Sequence, residues 1–260
     1  MLRIHFLQQW YNYLDPGMEE ALYEIQLLRQ FVGIDLGRDL VPDETTILRF
    51  RRLLERHGLA RAIFAEVQAV LQEKGLLLQE GKTVDATLVH APGSTKDRDG
   101  KRDPEMSSTK KGNQWYFGMK APVATDLQGI VQAVDFTAAK VPDHQVVDAL
   151  LTGEEKVLLA DRGYDYPKVH EALAERGIQD AVARRRYPGQ KKGLSALQRF
   201  NRTIASLRAR GERAFRVLKC QFHYRKTRYR GLARNGAQIT TLLALANLYL
   251  LRRELQILQA

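Results

Sequence analysis

Apolar positions in the first eighty residues recur every three to four places, the spacing of amphipathic helices. Leu2, Ile4, Phe6, Leu7, Trp10, Tyr11 and Leu14 make one broad apolar face, and Asp15-Pro16-Gly17 reads as the breaker that ends it. A second helix is predicted over Ala21 to Val32. A third starts at Pro42-Asp43-Glu44-Thr45-Thr46 and turns Ile47, Phe50, Leu53 and Leu54 inward, and a fourth runs from Leu59 to Lys74, stopped by Gly75. After Gly81 the pattern changes to that of strands: Thr83 to Val89, then Gln114 to Thr125 and Ile130 to Ala138, the last two joined by the turn Asp126-Leu127-Gln128-Gly129. The polar stretch from Pro92 to Asn113 is expected to be a long loop. A helix from Asp143 to Leu151, a buried strand at Val157 to Ala160, a helix from Tyr166 to Arg176 and a strand near Ala181 to Ala183 follow. Two helices, Ser195 to Lys219 and Ala237 to Leu255, close the chain. The pattern predicts an α/β unit over residues 81–260 behind a small all-helical region over residues 1–80.

Composition narrows the class. With 260 residues, 44% hydrophobic and 27% charged, the chain is neither disordered, collagenous nor a disulfide scaffold. One cysteine, Cys220, permits no internal disulfide and no cysteine-based zinc site, which suits a reducing cytoplasm. The longest apolar run, near the C-terminus, is broken by Asn247, so no membrane span is expected, and the first residues lack the pattern of a secretory signal. The net charge of +11 is local: from Arg184 to Arg234 there are seventeen Lys and Arg and one acid, Glu212, while the remainder of the chain is acidic. Apolar residues at helical spacing and the interleaved aromatics Tyr187, Phe200, Phe215, Phe222, Tyr224 and Tyr229 argue against a solvated tail and for a surface that binds nucleic-acid phosphates.

Three carboxylates stand out within that frame. Asp85 lies mid-strand among apolar neighbours, where an unpaired carboxylate is costly to bury. Asp161 follows a buried strand, the position at which open α/β sheets place their sites, although it could also cap the next helix. Glu212 is the one acid of the basic segment, on a stripe with Arg208 and Lys219 beside the apolar stripe of Ile204, Leu207, Gly211, Phe215 and Leu218. An ion pair between Arg208 and Glu212 would explain it locally; a surface that excludes acids except where a cation is needed explains it better. Hard oxygen donors of this kind suit Mg²⁺ or Mn²⁺, and a pair of such ions serves in-line phosphoryl transfer, with Arg208 and Lys219 holding adjacent phosphates.

Arg208-x3-Glu212-x6-Lys219 resembles the Y-x2-R-x3-E-x6-K signature of the DDE transposases of bacterial insertion sequences. Thr83-Val84-Asp85-Ala86-Thr87 is similar to their first-aspartate strand, and Leu159-Ala160-Asp161-Arg162-Gly163-Tyr164-Asp165 to their second-aspartate motif. The helical opening, Ala21 to Ile25 and Asp43 to Phe50, resembles the insertion sequence 5 group, so the likeness covers nearly the whole chain. It implies an RNase H-like mixed sheet flanked by helices. It also implies Asp85, Asp161 and Glu212 as catalytic metal ligands, two divalent ions, and Arg208, Lys219, Arg216 and Arg162 as phosphate contacts. The implied partners are DNA, both element ends and target, and a second copy in the synaptic complex. The implied place of action is the bacterial cytoplasm, at the nucleoid. The signature tyrosine falls at Ala205, and family members begin several dozen residues earlier, so Met1 reads as an internal start. Two other readings share these residues: a nuclease that cuts without joining, and a DNA-binding remnant. His144 is expected to be an ordinary helix-start residue, and Asp97, Asp99 and Asp103 solvated loop charges. Trp115, with Lys110 and Lys111, reads equally as core or as DNA contact.

Overall fold

The computed structural model describes residues 1–92, 101–187 and 193–258. Five helices lead: α1 (Leu2–Trp10), α2 (Asp15–Glu24), α3 (Gln26–Val32), α4 (Glu44–Arg56) and α5 (Leu59–Glu73). The first five strands are β1 (Gly81–His90), β2 (Ser107–Lys111), β3 (Gln114–Asp126), β4 (Val131–Val134) and β5 (Thr137–Ala138). After a 3₁₀ turn at Asp143–Val146 come α6 (Val147–Leu150), β6 (Val157–Ala160), α7 (Pro167–Glu175) and β7 (Gln179–Val182). The chain ends in α8 (Leu194–Arg208), α9 (Glu212–Arg216), a π turn at Val217–Gln221, α10 (Leu232–Leu250) and α11 (Arg252–Ile257).

The front end differs from expectation at Asp15-Pro16-Gly17, which begins a helix. Proline lacks an N–H that the first turn would leave unpaired anyway, so it fits there, and the break falls earlier, at Asn12 with φ 62°. The predicted helix over 21–32 is two helices, hinged at Ile25 in an extended conformation. Asp43 caps α4 by accepting from the Thr46 N–H at 2.7 Å. Ile4, Leu7, Met18, Leu22, Leu28 and Ile47 form the shared core of α1 to α4. α5 turns the other way: its Phe64 joins α10 and the sheet.

β1 is central. It runs antiparallel to β3, which carries β2, β4 and β5 along its outer side, and parallel to β6, which in turn pairs with β7. Four antiparallel strands on one side of β1 and two parallel strands on the other make the expected mixed sheet, flanked by helices. β2 was expected to be loop because Ser-Ser-Thr-Lys-Lys carries no apolar alternation; it forms as a polar edge strand paired to β3 alone. One sheet face packs on α6 and α7 through Val84, Leu158, Val169, Leu173 and Val182, and the other on α9, α10 and α5 through Val89, Met119, Val123, Phe215 and Leu243. Among the described residues no helix is long and apolar enough to cross a membrane. The apolar α10 is buried in protein, and the residue that interrupts it has a structural use. Asn247 accepts from the Val131 N–H at 2.9 Å and donates to the Val131 carbonyl at 2.8 Å, pairing with β4 as a strand would. Asn201 on α8 does the same for Arg184, and Asn235 ties the loop at Arg228 to Gly231.

Asp103, expected to be solvated, is buried and accepts from the Gly231 N–H at 2.6 Å, while Glu105 accepts from Leu232 N–H, so both carboxylates sit where α10 begins and its unpaired N–H groups favour negative charge. Asp97 and Asp99 lie outside the described residues. Beneath the sheet Lys82 is buried and its ammonium pairs with Glu155, whose carboxylate also accepts from the Thr152 and Gly153 N–H groups. Burial opposes the charge on Glu155, but Lys82 and these donors prevail and hold the carboxyl at about 2.

The predicted long helix over 195–219 breaks after Arg208. The break follows from a close approach to the sheet: a Cβ on Gly211 would stand 3.1 Å from both Thr125 Oγ1 and Thr83 Cγ2, and one on Gly129 would stand 2.1 Å from the Arg210 carbonyl oxygen. With the helix bent, Leu207 leaves the apolar stripe and is exposed, while Ile204, Phe215 and Leu218 stay buried.

Three outcomes are expected. Lys82→Met should cost about 3–5 kcal/mol in denaturant unfolding, because it strands a buried carboxylate, and Lys82→Met combined with Glu155→Leu should recover most of the loss. Since Glu155 titrates lower folded than unfolded, its stabilising share should be complete above pH 4.5 and fade as pH falls toward 2; a Glu155→Leu, Lys82→Met protein should lack that dependence. Gly129→Ala, with φ at 89° and backbone in the way, should lower stability by about 1–3 kcal/mol, and an unchanged melting temperature would contradict the close approach.

Candidate active site

Pairing between β1 and β6 ends at Val84 opposite Ala160, so the next residue on each strand, Asp85 and Asp161, lies beside the other at the end of the parallel ladder. Neighbouring strands are about 4.8 Å apart, which brings the two backbones within reach of one site. Alternation along β1 sends Val84 into the α6–α7 core and Thr83, Asp85 and Val89 to the opposite face, toward α8 and α9. There Gly211 rests on Thr83 and Thr125, a directly paired couple, and Glu212 is the next residue. Sequence positions 85, 161 and 212 therefore lie toward one face of the sheet.

The charges register this arrangement. The Asp85 carboxyl lies above the usual carboxylate range, first because it is buried and further because Asp161 and Glu212 repel its charge. Two groups pull the other way: the Arg208 guanidinium, with Nη2 3.3 Å from Oδ2, and the Ala86 N–H, 2.8 Å from Oδ1. Arg208 thus pairs with Asp85 across the helix–sheet gap, in place of a local pair with Glu212. Asp161 caps the turn Arg162–Tyr164 by accepting from the Gly163 N–H at 2.7 Å, so the capping role foreseen for it is real and leaves Oδ2 available. Glu212 is exposed at the start of α9. Among the described residues no three His, Cys, Asp or Glu side chains are grouped closely enough to enclose an ion as they stand. The donor set nonetheless suits a divalent cation: three hard carboxylates share one face, and the repulsion of Asp85 by Asp161 and Glu212 is what a cation between them would relieve.

Of the four predicted phosphate contacts, two are part of this cluster. Arg208 lies on Asp85, and Lys219, on the π turn, is half-buried near enough to Asp85 to feel its charge; burial foremost, then Lys111, lowers its ammonium. Arg162 and Arg216 are exposed, one on the turn after Asp161 and the other at the end of α9. The basic segment around them serves two uses. Arg184 pairs with Asp180 at 2.6 Å, and Arg228 donates to the Asn12 and Tyr13 carbonyls, bracing the helical front, while Arg199, Arg202, Arg210 and Arg225 face solvent. Of the interleaved aromatics, Phe215, Phe222 and Tyr224 are core, and Tyr187 and Phe200 are exposed.

Two features escaped the sequence reading. The Tyr164 hydroxyl is buried with no hydrogen-bond partner among the described residues, and burial, then Asp143, Asp85 and Asp161, push its ionisation far up. Asp165, four residues after Asp161, accepts from the Arg185 N–H at 2.6 Å and pairs with His170, which pairs in turn with Asp180. This network ties the turn carrying Asp161 to the end of β7; the second aspartate of the Asp161–Asp165 run was the available signal, but His170 has none in sequence. His144 stacks on Tyr166 at 3.8 Å, in keeping with its place at the start of a turn.

Residues 78–248 match the family described as Transposase DDE domain, and residues 1–53 match Transposase domain (DUF772). Among solved structures, the Mos1 mariner paired end complex with Mn is 14% identical over 77% of both chains, and the Mos1 strand transfer complex is 15% identical over 82% of this chain and 76% of that one. Both superpose with a TM-score of 0.24, too low to establish a shared fold. The family match spans well over half of the sequence and both sheet aspartates as well as Glu212, and on that match the chain belongs to the DDE transposases, enzymes of DNA cleavage and strand transfer.

Proposed function

We propose that this transposase is of the insertion sequence 5 group, and that Asp85, Asp161 and Glu212 hold two divalent ions, Mg²⁺ or Mn²⁺, while DNA is cut at element ends and joined to a target. The observation that carries the reading is the convergence of these three carboxylates on one sheet face, beside the one strongly basic segment of the chain. Bound divalent ions supply activation of the attacking oxygen and neutralisation of the leaving one. In cleavage a water oxygen forms the new bond to phosphorus and a 3′-hydroxyl leaves; in joining, that hydroxyl attacks a target phosphate and the target's own 3′-oxygen leaves, so one phosphodiester replaces another. Arg208 and Lys219 orient the phosphate, Arg208 exchanging its pairing with Asp85 for a phosphate oxygen as DNA arrives, which frees Asp85 for the cation. Arg162 and Arg216, with the exposed arginines of α8, extend the grip along the strand. A second copy of the chain pairs the two ends.

Asp85→Asn, Asp161→Asn and Glu212→Gln proteins should each lose metal-dependent strand cleavage by at least about a hundredfold in a labelled element-end assay, and wild-type rates in any of them would remove that residue from the site. A strand-transfer assay with pre-cut ends should give joined product; cutting without joining would make the protein a nuclease. Arg208→Gln should move the Asp85 titration, followed by carboxyl-carbon NMR, to higher pH, because the positive charge paired directly with it is gone; an unmoved titration would show that the guanidinium is not its partner.

A further inference from the structure

The β2–β3 hairpin has no part in the chemistry above. β3 is 13 residues long, yet β1 pairs with it only as far as Gly118. Beyond it the Phe117 carbonyl still accepts from the Ala91 N–H at 2.8 Å, and Gln114 to Tyr116 have backbone pairing with β2 alone, so the hairpin overhangs the sheet by roughly 10 Å. Gly112, with φ 61°, makes the turn at its tip. Beside the tip Trp115 is 66% exposed, directly opposite Lys110, and Lys111 is opposite Gln114. Residues 107–125 contain three lysines and no acid.

The direction of the hairpin matters as much as its composition. Trp115 and Val123 are both odd-numbered residues of β3, and Val123 is the partner of Asp85, so the indole projects from the sheet face that bears the three carboxylates. Lys111 comes near enough to Lys219 to disfavour its charge, and Lys219 in turn feels Asp85. The hairpin tip therefore stands toward the carboxylate face, with Lys111 and Lys219 near one another beside it. An indole held in water on a paired, two-stranded arm presents a flat apolar face framed by ammonium groups. The chemical complement of that arrangement is a nucleobase next to its phosphates. Inside a duplex the base faces are covered by their neighbours; they open where a strand ends. Strand ends are what the proposed reaction makes and consumes.

We propose that Trp115 stacks on the nucleobase exposed at a DNA end, with Lys110 and Lys111 on the phosphates of that end. The inference rests on the cleavage-and-joining reading for why ends are present, but its test does not need turnover. Trp115 is one of two tryptophans. The other, Trp10, is packed against Phe222 and Tyr249, so subtracting the emission of a Trp115→Phe protein isolates the hairpin signal. The probes are a short blunt-ended duplex and a relaxed, covalently closed circular DNA, with binding followed independently by mobility shift at matched salt concentrations over a titrated range. The ended duplex should quench Trp115, the circle should bind without quenching, and Trp115→Ala should weaken binding to ended DNA by about tenfold, with Trp115→Phe retaining most of it. Lys110→Ala with Lys111→Ala should reduce the salt dependence of binding by about two phosphates. Equal quenching by the circle, no quenching on bound ended DNA, or wild-type affinity in Trp115→Ala would each overturn the proposal. A Trp115 signal that changes with protein concentration in the absence of DNA would overturn it too, by assigning the hairpin to contact between copies. The Asp85→Asn protein separates the two readings: quenching without cleavage leaves the end-binding site standing, and cleavage by wild type without quenching leaves only the chemistry.

Discussion

How closely a helix may lie on a sheet is set by what projects between them, and here the limit is a pair of glycines. Gly211 rests on Thr83 and Thr125 so closely that a methyl group would press on both at 3.1 Å, and Gly129 admits the Arg210 carbonyl where any side chain would collide. The helix bends to make that approach, and the bend carries Glu212 from a solvent-facing stripe to the edge of the sheet. Asp85 and Asp161 need no such device, since the parallel pairing of β1 with β6 sets them side by side. Two carboxylates are thus positioned by backbone hydrogen bonding and the third by steric permission, which makes its placement the more sensitive to substitution.

Electrostatics and packing pull against each other at this point. Burial and two like-charged neighbours disfavour an ionised Asp85, and the guanidinium of Arg208 offsets them. The proposed exchange of Arg208 for a divalent ion at Asp85 would depend on such a balance, because a carboxylate already satisfied by several donors would gain little from the ion. Glu155 illustrates the contrast on the other side of the sheet: it is met by Lys82 and by backbone N–H groups, and its work is purely structural. Seventeen bases in the Arg184 to Arg234 segment likewise divide between braces such as Arg184 and Arg228 and arginines directed at solvent.

Much of this architecture was legible in the residues. Apolar spacing located α4, α5, β1, β6 and β7 within a residue or two, since each buries one regular face. Periodicity failed where another force decides. β2 is polar because it is an edge; the predicted helix over 195–219 breaks because of a contact with residues far away in sequence; Asp15-Pro16-Gly17 starts a helix where composition suggested a stop. Asp103 looked like a loop charge because its partner, Gly231, is 128 residues distant. The three site carboxylates were visible as anomalies, each an acid where its surroundings disfavour one. Tyr164 and His170 were invisible, being ordinary residues until the fold surrounds them with Asp85, Asp161, Asp165 and Asp180.

The helix asparagines have a bearing on how two copies can meet. A side-chain amide has the same donor and acceptor as a peptide group, so Asn247 on β4 and Asn201 on the continuation of β7 fill hydrogen-bonding positions that an incoming strand would use. The remaining edge, β2, is short and bears lysines, which repel a like strand. Extension of the sheet is therefore opposed at Val131, at Arg184 and along β2, so two of these chains would meet more readily through helices or through a shared length of DNA.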